Sequence, residues 1–444
     1  MLKSFPKGGV HPPANKLSSK QPIEVLPLPP QVTIPLGQHI GVPATLSVAK
    51  GDRVLVGDII ARSSGFVSAN IHSSVSGIVA SVDPALDTSG YKRPAVTITV
   101  QGDEWLPTID RSQAVVRECN LTPEEIITRV IGAGIVGLGG AAFPSHVKFQ
   151  VPKGKSVDTL IINGVECEPY LTSDHRLMLE RGEEILIGAV ITAKALSAKR
   201  IYVGVENNKP DAIAHLRSLS NSFGGIEIVP LRVKYPQGGE KQLIKAITNR
   251  EVPSGRLPLD VGCVVHNVGT ALAVYEAVQK GKPLTERVVT VTGKNLARPG
   301  NYLTRIGTPI SWLVEAAGGL PPDTGKVVSG GPMMGKAITS LDVPVTKGTS
   351  GVVIIPASES RRGAELPACI RCANCVSACP MGLEPYLLNR MARKRMFEQM
   401  QRERVLDCIE CGSCSFVCPA NLHLLDYIRL GKAEVNAIIK ASKN

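Results

Sequence analysis

The sequence predicts a multidomain α/β plus β protein, and three observations carry that prediction. At 444 residues the chain is too long for one ordinary domain. Residues ~115–280 alternate apolar strand patterns with helical ones, whereas the stretches on either side read as short strands. Eight of the eleven cysteines crowd into the last quarter, leaving only Cys119, Cys167 and Cys263 elsewhere. Hydrophobic residues make up 43% of the chain and aromatics only 4%, while 43 glycines and 33 prolines imply many tight turns. No apolar run reaches the ~18–20 residues that span a bilayer. MLKSFPKGGVHPP lacks the apolar core of a secretion signal, so a non-spanning protein of the cytoplasm is expected. The net charge of +12 suits an acidic partner: an anionic lipid, a nucleic acid or an acidic protein. Nucleic acid fits least, because no basic stripe interleaved with aromatics is present.

From the N-terminus, residues ~32–100 look all-β. The segments 48-VAKGDRVLVGDIIA-61 and 72-HSSVSGIVASV-82 resemble the biotinyl/lipoyl type of barrel-sandwich domain. That type normally offers a lysine at a hairpin tip for its cofactor. The equivalent 66-FVSAN-70 has none, which implies a scaffold and not a carrier. Next, 157-VDTLIIN-163, 200-RIYVGV-205 and 226-IEIVPL-231 read as strands, with helices at about 181–197, 209–220, 239–249 and 270–280. This alternation predicts a mostly parallel sheet, whose ligands sit where strands end in loops. Residues ~286–356 read as short strands around one helix, 309-PISWLVEAAG-318, and resemble a ubiquitin-like β-grasp (SLBB) domain.

The cysteines form two identical runs, 369-CIRCANCVSACP-380 and 408-CIECGSCSFVCP-419. C-x2-C-x2-C-x3-C-P is the bacterial ferredoxin pattern for a [4Fe–4S] cluster, in which the fourth cysteine ligates the other cluster. Cys369, Cys372, Cys375 and Cys418 are assigned to one cluster; Cys408, Cys411, Cys414 and Cys379 to the second. Zinc is the competing reading, since C-x2-C pairs bind it too. Between the runs, 384-EPYLLNRMARKRMFEQMQRERVLD-407 reads as helix, with Leu387, Leu388, Met391 and Leu406 as packing residues. The module therefore resembles the α-helical two-cluster ferredoxins. Arg390, Arg393, Lys394, Arg395, Arg402 and Arg404 make this segment basic, either as a solvated face or as a docking surface for an acidic protein such as a ferredoxin.

Four loops of the α/β region carry unusual residues: 137-GLGGAAFP-144, 163-NGVECEP-169, 235-YPQGGEK-241 and 266-HNVGT-270. Each alone is a turn or a helix cap. In this order they resemble the flavoprotein subunit of respiratory complex I, whose glycine loop reads GRGGAGFP with a lysine four residues after the proline. Lys148 keeps that interval from Pro144. NADESEP, Y-x-x-GEE and NNVET of that family match the other three loops.

The resemblance implies FMN held by the backbone of Gly137, Gly139 and Gly140, with Lys148 at its phosphate. Asn163, Glu166 and Cys167 would line the ring, and Tyr235, Gly238, Gly239, Asn267 and Thr270 would complete the site. NADH would stack on Phe143 and hydrogen-bond Glu168 and Glu240. No catalytic acid or base is implied. Leu138, Val165, Cys167, His266 and Gly269 depart from the family's arginine, aspartate, serine, asparagine and glutamate.

An order of 5-FPKGGVHPPANK-16 leader, barrel-sandwich, flavin domain, β-grasp domain and two-cluster module resembles the RnfC/RsxC family of Rnf electron transport complexes. The expected boundaries are 1–110, 111–284, 285–357 and 358–444. The resemblance implies a peripheral NADH-oxidising subunit on the cytoplasmic face of the inner membrane. Its partners would be membrane-embedded and ferredoxin-like subunits of a complex that couples NADH:ferredoxin electron transfer to Na+ or H+ transport. A soluble cobalamin reductase, which places its barrel-sandwich C-terminally, and a hydrogenase diaphorase are the enzymatic alternatives. An iron–sulfur relay or scaffold without an active flavin is the non-enzymatic one.

Overall fold

The fold is taken from a computed structural model, in which residues 2–360 and 368–442 are described. Four strands, in the order Gln31–Pro35, Ala95–Val100, Gly77–Ser81 and Arg53–Val54, form one small sheet of the N-terminal unit. Thr45–Leu46, Ile59–Arg62 and Ile71–His72 form another. Val32 and Ile34 alternate inward opposite Val96 and Ile98, the period-two pattern of a sheet with one buried face. The lysine-free tip does not stand free: the Phe66 carbonyl accepts a hydrogen bond from His146 Nε2 at 3.0 Å, anchoring the tip to the next unit.

The α/β unit has a four-stranded parallel sheet in the order Ile226–Leu231, Arg200–Glu206, Thr159–Asn163 and Cys263–Asn267. Leu160, Ile161 and Ile162 are fully buried in succession, because a parallel sheet covered on both faces admits no polar alternation. Helices Gly182–Leu196, Pro210–Ser220, Glu240–Thr248 and Val268–Gln279 occupy the expected stretches. Gly188 lets two of them touch: a Cβ there would overlap the Ala271 carbonyl. The strands end together at Asn163, Glu206, Leu231 and Asn267, so the loops that follow converge on one edge.

The β-grasp unit is a six-stranded sheet packed on helix Ile310–Ala316. One of its strands comes from far away: Ile23–Val25 pairs in parallel with Gly300–Arg305. The cysteine-rich module is helical, with Pro385–Arg393 packed on the last helix, Leu424–Ala441. Its segment 384–407 departs from the single helix expected. It breaks into Pro385–Arg393, Phe397–Arg402 and a short 3-10 turn, with Arg395 and Arg404 in the left-handed region. The break turns Met400 and Val405 into the core around Leu388 and leaves Leu406 exposed, so Leu406 is not a packing residue. No helix among the described residues is long and apolar enough to cross a membrane.

Candidate functional site

The four loops meet around a cavity of about 440 Å³, within the ~300–1,000 Å³ range of small-molecule sites. Gly137, Gly139, Phe143, Lys148, Asn163, Glu166, Cys167, Glu168, Tyr235, Gly238, Gly239, Glu240 and Asn267 all line it. Gly140 and Thr270 do not. Gly140 adopts φ +108°, which favours glycine, so its role is to turn the loop. Thr270 is fully buried, and its hydroxyl accepts the Leu138 N–H at 2.9 Å, bracing the glycine loop from behind.

Hydrogen bonds between loops hold the cavity open. Asn163 Nδ2 donates to the Gly238 carbonyl at 2.9 Å, and the Gly238 N–H donates to Cys167 Sγ at 3.4 Å. Asn267 caps its own helix by accepting the Gly269 N–H at 2.8 Å, while its Nδ2 donates to Asp174 at 2.7 Å. Glu166 accepts the N–H groups of Asp174 and His175 at 2.7 and 3.2 Å, so its carboxylate caps helix Ser173–Glu180. Burial, with Glu166 beside it, raises the Asp174 carboxyl to about 7. Glu168 accepts the N–H groups of Met333 and Met334 at 3.1 and 2.9 Å, which ties loop 329-SGGPMMG-335 to the cavity. Burial raises its carboxyl to about 7 as well.

The residues fit an anionic cofactor. Helix Glu240–Thr248 opens onto the cavity at Gly239 without a side-chain cap, leaving its first N–H groups directed at an anion. Lys148 Nζ stands beside that turn, 2.6 Å from Glu240 and 2.9 Å from the Val265 carbonyl. Ser145 Oγ and His266 Nε2 also line the cavity, and both are buried with no hydrogen-bond partner. Burial, helped by nearby Lys148, depresses His266 to about 3, so the ring stays neutral. Of the departures, Leu138 and Val165 are buried apolar side chains. The Leu138 carbonyl is held instead by Arg287, whose Nη2 donates at 2.6 Å.

The cysteines form two sets, each drawing on both runs. Cys379, Cys408, Cys411 and Cys414 line one cavity; Cys369, Cys372, Cys375 and Cys418 line another. Among the described residues, no three His, Cys, Asp or Glu side chains converge closely enough for a single metal ion. Four thiols spread around a cavity suit a larger inorganic core better than a zinc ion does. Cys411 and its neighbour Ile409 also line the cavity of the four loops, and Tyr235 Oη donates to the Cys411 carbonyl at 2.7 Å. The two centres therefore share a wall.

The leader is a functional element whose role the sequence motif did not reveal. Lys16, half-buried, donates to the carbonyls of Glu166, Glu168 and Leu171 at 2.8, 2.9 and 2.6 Å. Burial lowers its ammonium to about 8. Val10 exchanges backbone hydrogen bonds with Tyr235, and the Gly9 N–H donates to Ala378 at 2.9 Å. Gly8 lies so close to Cys379 that a Cβ would collide with its backbone. Residues 8–16 thus strap the loops to the enclosed cysteine set. Lysine and glycines of this kind are read as surface residues until the fold packs other segments against them.

Comparison with known proteins agrees with this construction. Residues 4–103 match the RnfC barrel sandwich hybrid domain, 130–276 the Nuo51 FMN-binding domain, 288–337 the SLBB domain and 363–419 the 4Fe-4S dicluster domain. The C subunit of the proton-translocating ferredoxin:NAD(+) oxidoreductase complex of Clostridium ljungdahlii is 46% identical, over 98% of this chain and 95% of its own length. The C subunit of the ion-translocating oxidoreductase complex of Rhodobacter capsulatus is 45% identical over 98% and 84%. Its counterpart in the Na(+)-translocating ferredoxin:NAD(+) oxidoreductase complex of Acetobacterium woodii is 43% identical over 97% of each chain. An NAD+-reducing [NiFe]-hydrogenase structure shares the fold, with a TM-score of 0.50 and 19% identity over 72% of this chain and 66% of that one. Near-complete coverage at such identity, over four domains in the order built above, means that the chain belongs to the RnfC family of ion-translocating oxidoreductase complexes.

Proposed function

We propose that the chain is the NADH-oxidising subunit of an ion-translocating ferredoxin:NAD(+) oxidoreductase complex, peripheral to the cytoplasmic face of the inner membrane. Its four units are those at 1–110, 111–284, 285–357 and 358–444. The observation that carries the reading is the shared wall: Cys411 lines both its own cysteine cavity and the cavity of the four loops. FMN bound there would supply the conversion between the electron pair of a nicotinamide and the single electrons of iron–sulfur clusters, which a ferredoxin:NAD(+) oxidoreductase requires.

The chain's own residues bind, orient and exclude water. Gly137, Gly139, Gly238 and Gly239 offer backbone to FMN, with Gly140 and Thr270 shaping the loop. Lys148 and the helix start at Gly239 hold its phosphate. Asn163, Glu166, Cys167, Tyr235 and Asn267 surround its ring. Phe143 and Glu240 meet NADH. Glu168 does so with a carboxylate already held by Met333 and Met334, so its contribution is mainly to fix the loop. Cys369, Cys372, Cys375 and Cys418 hold one [4Fe–4S] cluster; Cys408, Cys411, Cys414 and Cys379 hold the other. The partners are the remaining subunits of the complex and ferredoxin.

The test is a cofactor inventory on the reconstituted full chain, followed by rapid mixing with NADH. One FMN and two clusters per chain, all bleached by NADH, are expected. Absence of flavin, or clusters that NADH leaves oxidised, overturns the reading.

A further inference from the structure

A second cavity, of about 220 Å³, lies behind the one built by the four loops. Leu138, Ser173, Asp174 and Asn267 line both spaces, and of these four only Asp174 titrates. The second cavity reaches the surface at Glu180, which is exposed. Arg287 lines it too, and its buried Nε has no hydrogen-bond partner among the described residues. A buried N–H facing a polar space of this size is satisfied by water, so the cavity is a wet one.

Four carboxyl groups line that cavity: Asp174, Glu180, Glu276 and Glu286. Three are pinned by cations, Glu180 by Arg176 at 2.7 Å, Glu276 by Lys282 at 3.2 Å and Glu286 by Lys282 at 2.6 Å. Among the described residues Asp174 has no cation within ion-pair distance; its Oδ2 accepts from Asn267 at 2.7 Å. Glu166 and Asn267 face it from the strand ends, Arg287 from the β-grasp strand Glu286–Gly293, and Lys209 from the turn before helix Pro210–Ser220. His175, next to it on its own helix, is turned to Asp211 at 2.9 Å. Burial, with Glu166 beside it, outweighs the two more distant cations and raises the Asp174 carboxyl to about 7. An unpaired carboxyl in that range takes up and gives back a proton at neutral pH, which the three paired ones do not. Glu168 lines the loop cavity but not the second one.

The proposed reaction has to release a proton. Hydride transfer needs none, but passing its two electrons on singly frees one: NADH and two oxidised clusters give NAD+, H+ and two reduced clusters, or the reverse. We propose that Asp174 takes that proton from the flavin cavity on its carboxylate and passes it to solvent through the second cavity. The proposal rests on the function proposed above.

The experiment mixes the reconstituted full chain with NADH in weak buffer near neutral pH, with a pH-indicator dye present. Flavin bleaching, cluster bleaching and proton release are followed together. In Asp174→Asn, whose amide oxygen still accepts from Asn267, flavin content and the rate of flavin bleaching should stay unchanged. Proton release and cluster bleaching should slow at least about tenfold, and Asp174→Glu should restore most of the rate. An infrared difference spectrum of reduced against oxidised chain should show a carboxyl band that Asp174→Asn removes. If the Asn variant loses its flavin, Ala273→Leu, which narrows the second cavity, takes its place, with a smaller slowing expected. Proton release at an unchanged rate overturns the proposal, as does a carboxyl band that Glu168→Gln removes instead. Dithionite separates the two readings: if it produces the Asp174 band while NADH bleaches nothing, the proposed function fails and the proton site stands. A chain that binds no flavin overturns both.

Discussion

The two cysteine runs have the same spacing, yet their surroundings are unlike. Run 408–419 is walled by Leu383, Leu388, Leu425 and Ile428 and joined to the loop cavity through Tyr235. Run 369–380 keeps Cys375 and Cys379 inside but turns Cys369 and Cys372 outward among arginines. One motif, copied, serves two environments. The spacing is a local instruction for wrapping a cluster, and the direction in which the wrapped face looks is settled by what packs behind it. Potentials of such centres follow solvent exposure and nearby charge, so identical ligands need not give identical chemistry.

The largest effect should come from removing one ligand of each set. Cys411→Ala is expected to lower iron by about half and leave the surviving centre unreduced by NADH, because the inner centre links it to the flavin. Cys372→Ala should also lower iron by about half, while NADH still reduces the inner centre, as read by EPR. Equal behaviour of the two variants would erase the contrast.

Gly139→Val should cut bound flavin to below about a tenth while both clusters remain. A Cβ at Gly139 stands 3.5 Å from Asn267, an ordinary contact, so the fold accepts it and the extra methyls occupy ligand space. Flavin retained at full occupancy would place the site elsewhere.

Lys16→Met separates the strap from the loops. It leaves three carbonyls without their donor, and a loss of about 2–4 kcal/mol in denaturant unfolding is expected. Flavin affinity should fall with it, while the exposed cysteine set keeps its iron.

The enclosed side should also carry a pH signature. Glu168 is raised by burial from 4.5 to about 7. Between those values the native chain keeps a proton that the unfolded chain has lost, so this group's contribution to stability falls as pH rises through the window. Glu168→Gln should flatten that slope, worth on the order of 2–3 kcal/mol between pH 5 and 8. An unchanged slope would mean the carboxylate is better solvated than its surroundings indicate. The smallest effect is expected of Tyr235→Phe, about 1 kcal/mol, for the loss of the hydroxyl that donates to the Cys411 carbonyl at 2.7 Å and reaches Glu168 at 3.5 Å.

Several features were legible in the sequence for physical reasons. Strand and helix periodicity located the parallel sheet, because apolar runs such as Leu160–Ile161–Ile162 have no other stable home. The ordered loops pointed to one cavity, because parallel strands deliver their following loops to a common edge. The break at Arg395 was not legible: a left-handed residue inside a helical pattern carries no periodic mark. Nor was the pairing of Ile23–Val25 with Gly300–Arg305, since strand partners so far apart in the chain leave no local trace.

By itself the sequence determined the chemistry available to this protein: eight thiols in two wraps, four glycine-bearing and acidic loops, and a basic segment between the wraps. Thiols two and three residues apart must curl around a common face whatever lies beyond them. Only the tertiary structure decided that the later run faces the loop cavity and the earlier one faces solvent. That choice depends on Lys16 gripping three carbonyls, Gly8 fitting against Cys379 and Glu168 holding Met333 and Met334. These contacts join residues up to several hundred positions apart, and their energies exist only once the chain has closed around them.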